Sequence, residues 1–333
     1  MRKIKRNIMK RKIFLTVATL LATTTLFASC SCDGCAGNTK VSFKPYFMND
    51  VDIHAKDGDT ETLRYKVEYT GKGSSANGYQ IGYKNGEYTS TLTVNMVDNK
   101  EVYTLSTHLS ITVDYTYAGA SVLGEDGKPL VDTVDSTVIF YSTQNGLQPI
   151  QSTKTIVSHS PAQTTILKPE DCYTYYNQTV ETVYVGKNGK SVVTDHADND
   201  AKRENEFEID DDKYAYVDNE QLLFALRCLN PSSAKLRVYS PFAETIQTIS
   251  AGFSSDDNSL PLTINGVQKD IPFNKVSLGI ESKTPGSTQT VWIAKTVSPN
   301  SNTYHNVMLK YEAPLPYSLG SLVYTLVEAE FIK

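Results

Sequence analysis

Tyr103-Thr104-Leu105-Ser106-Thr107-His108-Leu109-Ser110-Ile111-Thr112-Val113-Asp114-Tyr115-Thr116-Tyr117 is the stretch that decides the fold. Tyr103, Leu105, Thr107, Leu109, Ile111, Val113, Tyr115 and Tyr117 take every second place. His108, Ser110, Thr112 and Asp114 stand between them. A period of two is that of a half-buried strand, whose successive side chains point to opposite faces. The pattern recurs on both sides of this run. Leu63, Tyr65, Val67 and Tyr69 alternate up to Gly71, and Leu92, Val94 and Met96 repeat the motif. Val134, Ser136, Val138 and Phe140 follow, then Leu236 with Val238, Leu262 with Ile264, Val276-Leu278-Ile280 and Val307-Leu309-Tyr311.

Turn signals fall between the runs. Asn85-Gly86, Asn188-Gly189 and Asn265-Gly266 offer the positive φ angles of two-residue hairpins, and Asp126-Gly127 before Pro129 marks a further turn. Such tight connections join antiparallel strands only. The 21 tyrosines add β propensity. One segment departs from this pattern, Asp218-Asn219-Glu220-Gln221-Leu222-Leu223-Phe224-Ala225-Leu226-Arg227-Cys228-Leu229. Asp218 is placed to cap a helix, Gln221 completes a capping box, and Asn230-Pro231 stops it. Its apolar residues cover most of the helical surface, so the helix should be buried. The fold expected is mainly β: a curved antiparallel sheet or incomplete β-barrel around one buried helix.

The 333 residues allow one large or two medium domains and a sizeable core. No linker divides residues 50–333, which read as one β-rich domain. The polar stretch Asp198–Lys213 reads as an exposed loop that could separate two half-sheets. Residues 30–49, rich in small and polar side chains, read as a tether.

The first 29 residues read as an address. Arg2, Lys3, Lys5, Arg6, Lys10, Arg11 and Lys12 precede an apolar, Thr-rich run of 16 residues, Ile13 to Ala28, short for a membrane span of about twenty. Leu26-Phe27-Ala28-Ser29-Cys30 resembles the lipobox of bacterial lipoproteins, with Phe27 where that pattern prefers Leu. The resemblance implies cleavage after Ser29 and lipidation of Cys30; an ordinary signal peptide beside a Cys-rich start is the other reading. Each buried acyl CH₂ contributes about 0.8 kcal/mol, so several chains make a lasting anchor. The chain is therefore expected outside the cytosol, held to a membrane by its N-terminal lipid, at the cell surface or in a periplasm.

Charge excludes one partner class. Lys+Arg is 32 against 37 Asp+Glu, a net of −5. Loss of residues 1–29 removes seven basic residues and leaves 25 against 37, a net of −12. No overall electrostatic footprint for nucleic acid is present. Of the five cysteines, Cys30, Cys32 and Cys35 crowd the start, and Cys32 with Cys35 forms a lone C-x-x-C without the second ligand pair of structural zinc. Cys172 and Cys228 could form a bridge or be free buried thiols.

The order of these elements resembles a family of exported bacterial proteins of unknown function, related to the LolA/LolB-like superfamily of lipoprotein carriers. The likeness rests on Leu63-Arg64-Tyr65-Lys66-Val67-Glu68-Tyr69-Thr70-Gly71, Ser136 to Ile150, the Asp218–Leu229 helix and Val291-Trp292-Ile293-Ala294, spanning roughly residues 60–330. It implies an incomplete antiparallel barrel with an apolar concave face covered by helices, and binding of an apolar ligand such as a lipid or acyl chain. It supplies no site residues.

Catalytic motifs are not found. G-x-S-x-G is absent, Ser318-Leu319-Gly320-Ser321 lacking its spacing. His54, His108, His159, His196 and His305 are scattered outside H-E-x-x-H and i, i+4 arrangements. Asp198-Asn199-Asp200 and Asp210-Asp211-Asp212 could attract Ca²⁺ but lack EF-hand spacing, and read as a solvated surface. The only tryptophan, Trp292, suits core packing or stacking on a sugar or lipid. Tyr173, Tyr175, Tyr176 and Tyr184 make either a binding surface or two faces of one hairpin. No cofactor, metal or catalytic residue is expected. The function expected is an extracytoplasmic binding protein for an apolar or cell-envelope ligand, the alternative a β-sandwich surface protein for carbohydrate or protein.

Overall fold

A computed structural model describes residues 56–71, 79–143, 146–162, 166–209, 213–229, 233–280, 288–295, 306–315 and 319–332. The leader, Cys30, the tether, Cys32, Cys35, His54, His305 and Asp210–Asp212 lie outside them.

The strands are β1 (Thr60–Thr70), β2 (Tyr79–Gln80), β3 (Tyr83–Val97), β4 (Lys100–Val113), β5 (Thr116–Tyr117), β6 (Ala120–Ser121), β7 (Val131–Thr143), β8 (Gly146–Pro161), β9 (Tyr173–Val185), β10 (Asn188–Asp195), β11 (Ala201–Glu208) and β12 (Ala215–Tyr216). After helix α1 (Leu222–Cys228) come β13 (Ala234–Ser240), β14 (Thr245–Ile264), β15 (Val267–Ile280), β16 (Gln289–Ala294), β17 (Met308–Pro314) and β18 (Ser321–Ile332). Fifteen of them form one sheet, in the order β11-β10-β9-β8-β7-β4-β3-β1-β18-β17-β16-β15-β14-β13-β12. Every pair is antiparallel except β12 with β13. The first and last strands sit side by side in the middle. Strands before residue 213 therefore extend the sheet one way and those after it extend it the other way.

The period-two residues line the concave face. Leu63, Tyr65 and Val67 of β1, Leu105, Leu109 and Ile111 of β4, Leu322, Tyr324 and Leu326 of β18 and Val276 and Leu278 of β15 are all buried in one core. Helix α1 lies in that hollow, with Phe224 5.5 Å from Phe140 of β7. Its capping box is as the sequence predicts: Glu220 N donates to Asp218 Oδ1 at 2.7 Å and Asp218 N to Gln221 Oε1 at 2.6 Å. The first turn, Asn219–Gln221, is 3₁₀, so the α-helix itself begins at Leu222.

The curved sheet is not closed into a barrel, and its two edges meet through side chains. Phe207 of β11 stacks on Tyr239 of β13 with ring centroids 3.8 Å apart and planes within 8°. Asn205 Nδ2 donates to the Tyr239 hydroxyl at 2.7 Å. Ile209, Tyr216 and Tyr239 form a small second core there.

Three local expectations change. Asn85-Gly86 is no hairpin turn. It is a bulge inside β3, where Lys84 faces Thr112 and Glu87 faces Ser110. Positive φ at Asn85 serves a bulge as well as a turn. The β9–β10 turn falls on Gly186-Lys187, two residues before Asn188-Gly189, because Val185 pairs with Asn188. The stretch read as a loop over 198–213 contains β11, whose Lys202, Arg203, Glu204, Glu206 and Glu208 make it a charged edge strand. Such charge discourages pairing with other chains.

Candidate functional site

The interior is polar where α1 begins. Asp218, 2% exposed, accepts from the hydroxyls of Tyr184 (2.5 Å) and Ser152 (2.7 Å). Burial pushes its carboxyl up to about 6, with Glu220 adding to the rise. Lys154 of β8 meets Glu220 at 3.3 Å, both side chains nearly inaccessible, and burial lowers the lysine's pKa. At the other end of the helix Arg227 grips Glu61 of β1 through two bonds of 2.6 and 2.9 Å and donates from Nε to the Asn306 carbonyl. Burial alone would lower the Arg227 pKa, and the Glu61 carboxylate more than offsets it. These pairs orient the helix, since a buried charge without its partner is costly. Between helix and sheet a space lined by Leu63, Tyr88, Leu105, Glu220, Phe224 and Arg227 measures about 30 Å³. That is room for about one water molecule and not for an acyl chain.

A second polar group lies at the rim. Asp132, 1% exposed, accepts from the His159 backbone N–H (2.8 Å) and lies 2.9 Å from His159 Nδ1. Burial raises the Asp132 pKa, and His159 draws it back. The imidazole is flanked by Tyr173 at 5.0 Å and Tyr175 at 5.2 Å. Its Nε2 makes no hydrogen bond among the described residues. The arrangement fixes the ring and leaves one nitrogen open to a hydrogen bond.

A wider concavity lies on the convex face. A groove of about 890 Å³ runs over β1, β3 and the end of β18, lined by Arg64, Lys66, Glu68, Lys84, Glu87 and Glu328 among others. Two irregularities flank it. One is the Asn85-Gly86 bulge; the other is an extra residue, Val327, between the partners of Arg64 and Tyr65. Bulges bend a strand and sharpen its twist, which accounts for a depression at this position. Gly86 permits the close packing: an added Cβ would stand 2.6 Å from the Val67 carbonyl oxygen and 2.9 Å from Ile111 Cδ1. The groove's charges pair with one another, Arg64 with Glu328 at 2.5 Å and Lys66 with Glu68 at 2.6 Å. Exposed pairs of this kind contribute only about 0–1 kcal/mol, so a ligand's hydroxyls can replace them at little cost.

No family model, curated protein or solved structure matches this chain.

The residues singled out in the sequence fall as follows. His108 is exposed and 2.7 Å from Asp135. His196 pairs with Asp200 at 2.5 Å, and among the described residues no group of three or more His, Cys, Asp or Glu is placed to hold a metal. Cys172 and Cys228 are both free and buried, and burial pushes the Cys172 thiol up to about 11 and Cys228 higher still. The tyrosine strip divides between two faces: Tyr173 and Tyr175 stand beside His159, and Tyr184 turns inward to Asp218. Trp292 is half-buried: it packs in part against the main core, as core packing requires, and has Lys310 Nζ at 4.8 Å and Lys275 Nζ at 5.7 Å from its ring. Sequence reasoning missed the His159–Asp132 pair, 27 residues apart, and the groove, whose only signal was the Asn-Gly pair that makes the bulge.

Proposed function

We propose that the chain is a lipid-anchored extracytoplasmic binding protein, tethered through Cys30, that takes a carbohydrate ligand on the convex face of its sheet. The observation that carries the reading is the contrast between the two faces. The space between α1 and the strands beneath it is about 30 Å³, and the convex side carries the 890 Å³ groove. The groove presents carboxylates, ammonium groups and a guanidinium together, which suits a ligand rich in hydroxyls that both donate and accept. Trp292, in the same cross-strand row as Lys66, adds an aromatic surface for a sugar ring. The apolar-ligand reading, which the likeness to lipoprotein carriers favours, requires α1 to leave the hollow and uncover Arg227 and Glu61.

The test is glycan-array binding followed by calorimetry on residues 30–333. Binding of oligosaccharides that Lys66→Ala and Glu87→Ala weaken at least tenfold is the expected result. No glycan binding, with an acyl lipid retained through purification, would overturn the reading.

A further inference from the structure

The convex face carries one uninterrupted row of cross-strand neighbours: Lys275 of β15, Trp292 of β16, Lys310 of β17, Thr325 of β18 and Lys66 of β1. All five are at least partly exposed, while Val276, Val291, Leu309, Tyr324 and Val67 next to them are buried. With strands about 4.8 Å apart, the row spans roughly 19 Å, the reach of an extended oligomer rather than of a single ion.

Its lysines are of two kinds. Lys66, Lys84, Lys128, Lys168 and Lys190 each stand within 3 Å of a carboxylate. Lys275 and Lys310 pair with no carboxylate among the described residues, and both ammonium groups lie over the indole of Trp292. Exposed cation–π contacts are weak, about 0.5–1 kcal/mol each, and leave the ammonium N–H donors open. A second ring on the same half of the sheet, Tyr214, has Lys213, Lys235 and Arg237 at 5.1, 5.8 and 6.0 Å. Leu236 and Val238, alternating with Lys235 and Arg237, belong to the core, which puts those two cations on the convex side. In a chain with an excess of acid, Lys275 and Lys310 thus stand beside an aromatic ring on the convex face with no carboxylate partner among the described residues.

From this we infer that the ligand is an acidic polysaccharide, its sugar ring set against Trp292 and its carboxylates held by Lys275 and Lys310. The inference rests on the convex-face reading above and adds the ligand's charge. A neutral glycan would need the aromatic ring and not the two ammonium groups.

The experiment titrates residues 30–333 with a panel of acidic polysaccharides, oligogalacturonate among them, each beside its methyl-esterified or carboxyl-reduced counterpart, and with single-stranded DNA. The expected result is binding of an acidic member at least tenfold tighter than its neutralised twin and weakened by added salt. Lys275→Gln with Lys310→Gln should lose at least tenfold toward the acid form and leave affinity for the neutral form unchanged. Both sites are exposed enough for the fold to survive, which circular dichroism checks. Equal binding of acid and neutral twins, or a double variant that binds as the parent does, overturns the charge assignment and keeps the glycan reading. Binding of no glycan overturns both. DNA binding as tight as the best acidic glycan overturns the ligand class.

Discussion

Replacing Asp218 by Asn exposes how the helix is seated. The carboxyl sits at about 6 in the folded protein against an ordinary 3.8, chiefly through burial. The folded state thus holds this proton more tightly than the unfolded chain. Between about pH 4 and pH 6 the native state binds more protons, so stability falls as pH rises through that window. Above pH 6 the whole cost is present: a shift of about two units, at 1.36 kcal/mol each, is about 3 kcal/mol. Asn serves as an N-cap as well as Asp does and titrates nothing. The Asp218→Asn chain should therefore gain on the parent by about 3 kcal/mol as pH goes from 4 to 7.5. Asp132, whose pKa burial also raises, contributes to both chains and cancels in the difference. Urea unfolding of residues 30–333 at pH 4, 5, 6 and 7.5, followed by Trp292 fluorescence, measures it. A gap that stays constant with pH, or shrinks as pH rises, would refute the reasoning and show the carboxylate to be comfortably ionised at the helix start.

Further perturbations test other parts of the fold. Arg227→Met should destabilise by about 3–5 kcal/mol because Glu61 is left buried and unpaired, and adding Glu61→Leu should restore much of it, as a double-mutant cycle would read. Gly86→Ala should cost about 1–3 kcal/mol by forcing a methyl against Val67 and Ile111, measured as a lower urea midpoint. Phe207→Ala should part the two sheet edges, seen as faster amide exchange in β11 with β4 unchanged.

The strands were legible where burial is one-sided, as in Tyr103–Val113, because alternation records the two faces directly. Helix α1 was legible from Asp218 and Gln221 because a capping box is local chemistry. Asn85-Gly86 is ambiguous in the sequence, since positive φ is common to hairpins and bulges and only the partner strand decides between them. The Asp98-Asn99 turn between β3 and β4, both residues at positive φ, carries no glycine to announce it. β11 reads as a loop in the sequence because an edge strand keeps charge on both faces. His159 meets Asp132 only through the pairing of β7 with β8, which no short-range pattern encodes. Trp292 reads as core or surface in the sequence because it is partly both, packed against the core and flanked by two lysines.

Ligand should bind outside the sheet while the hollow stays closed over α1. Hydrogen exchange on residues 30–333, with and without the best-binding glycan, reads both at once. Protection appearing in β1, β3, β16 and β17 with α1 unaltered is the predicted result. Deprotection of α1 on ligand addition, or native mass spectra carrying an acyl-chain mass, would contradict it.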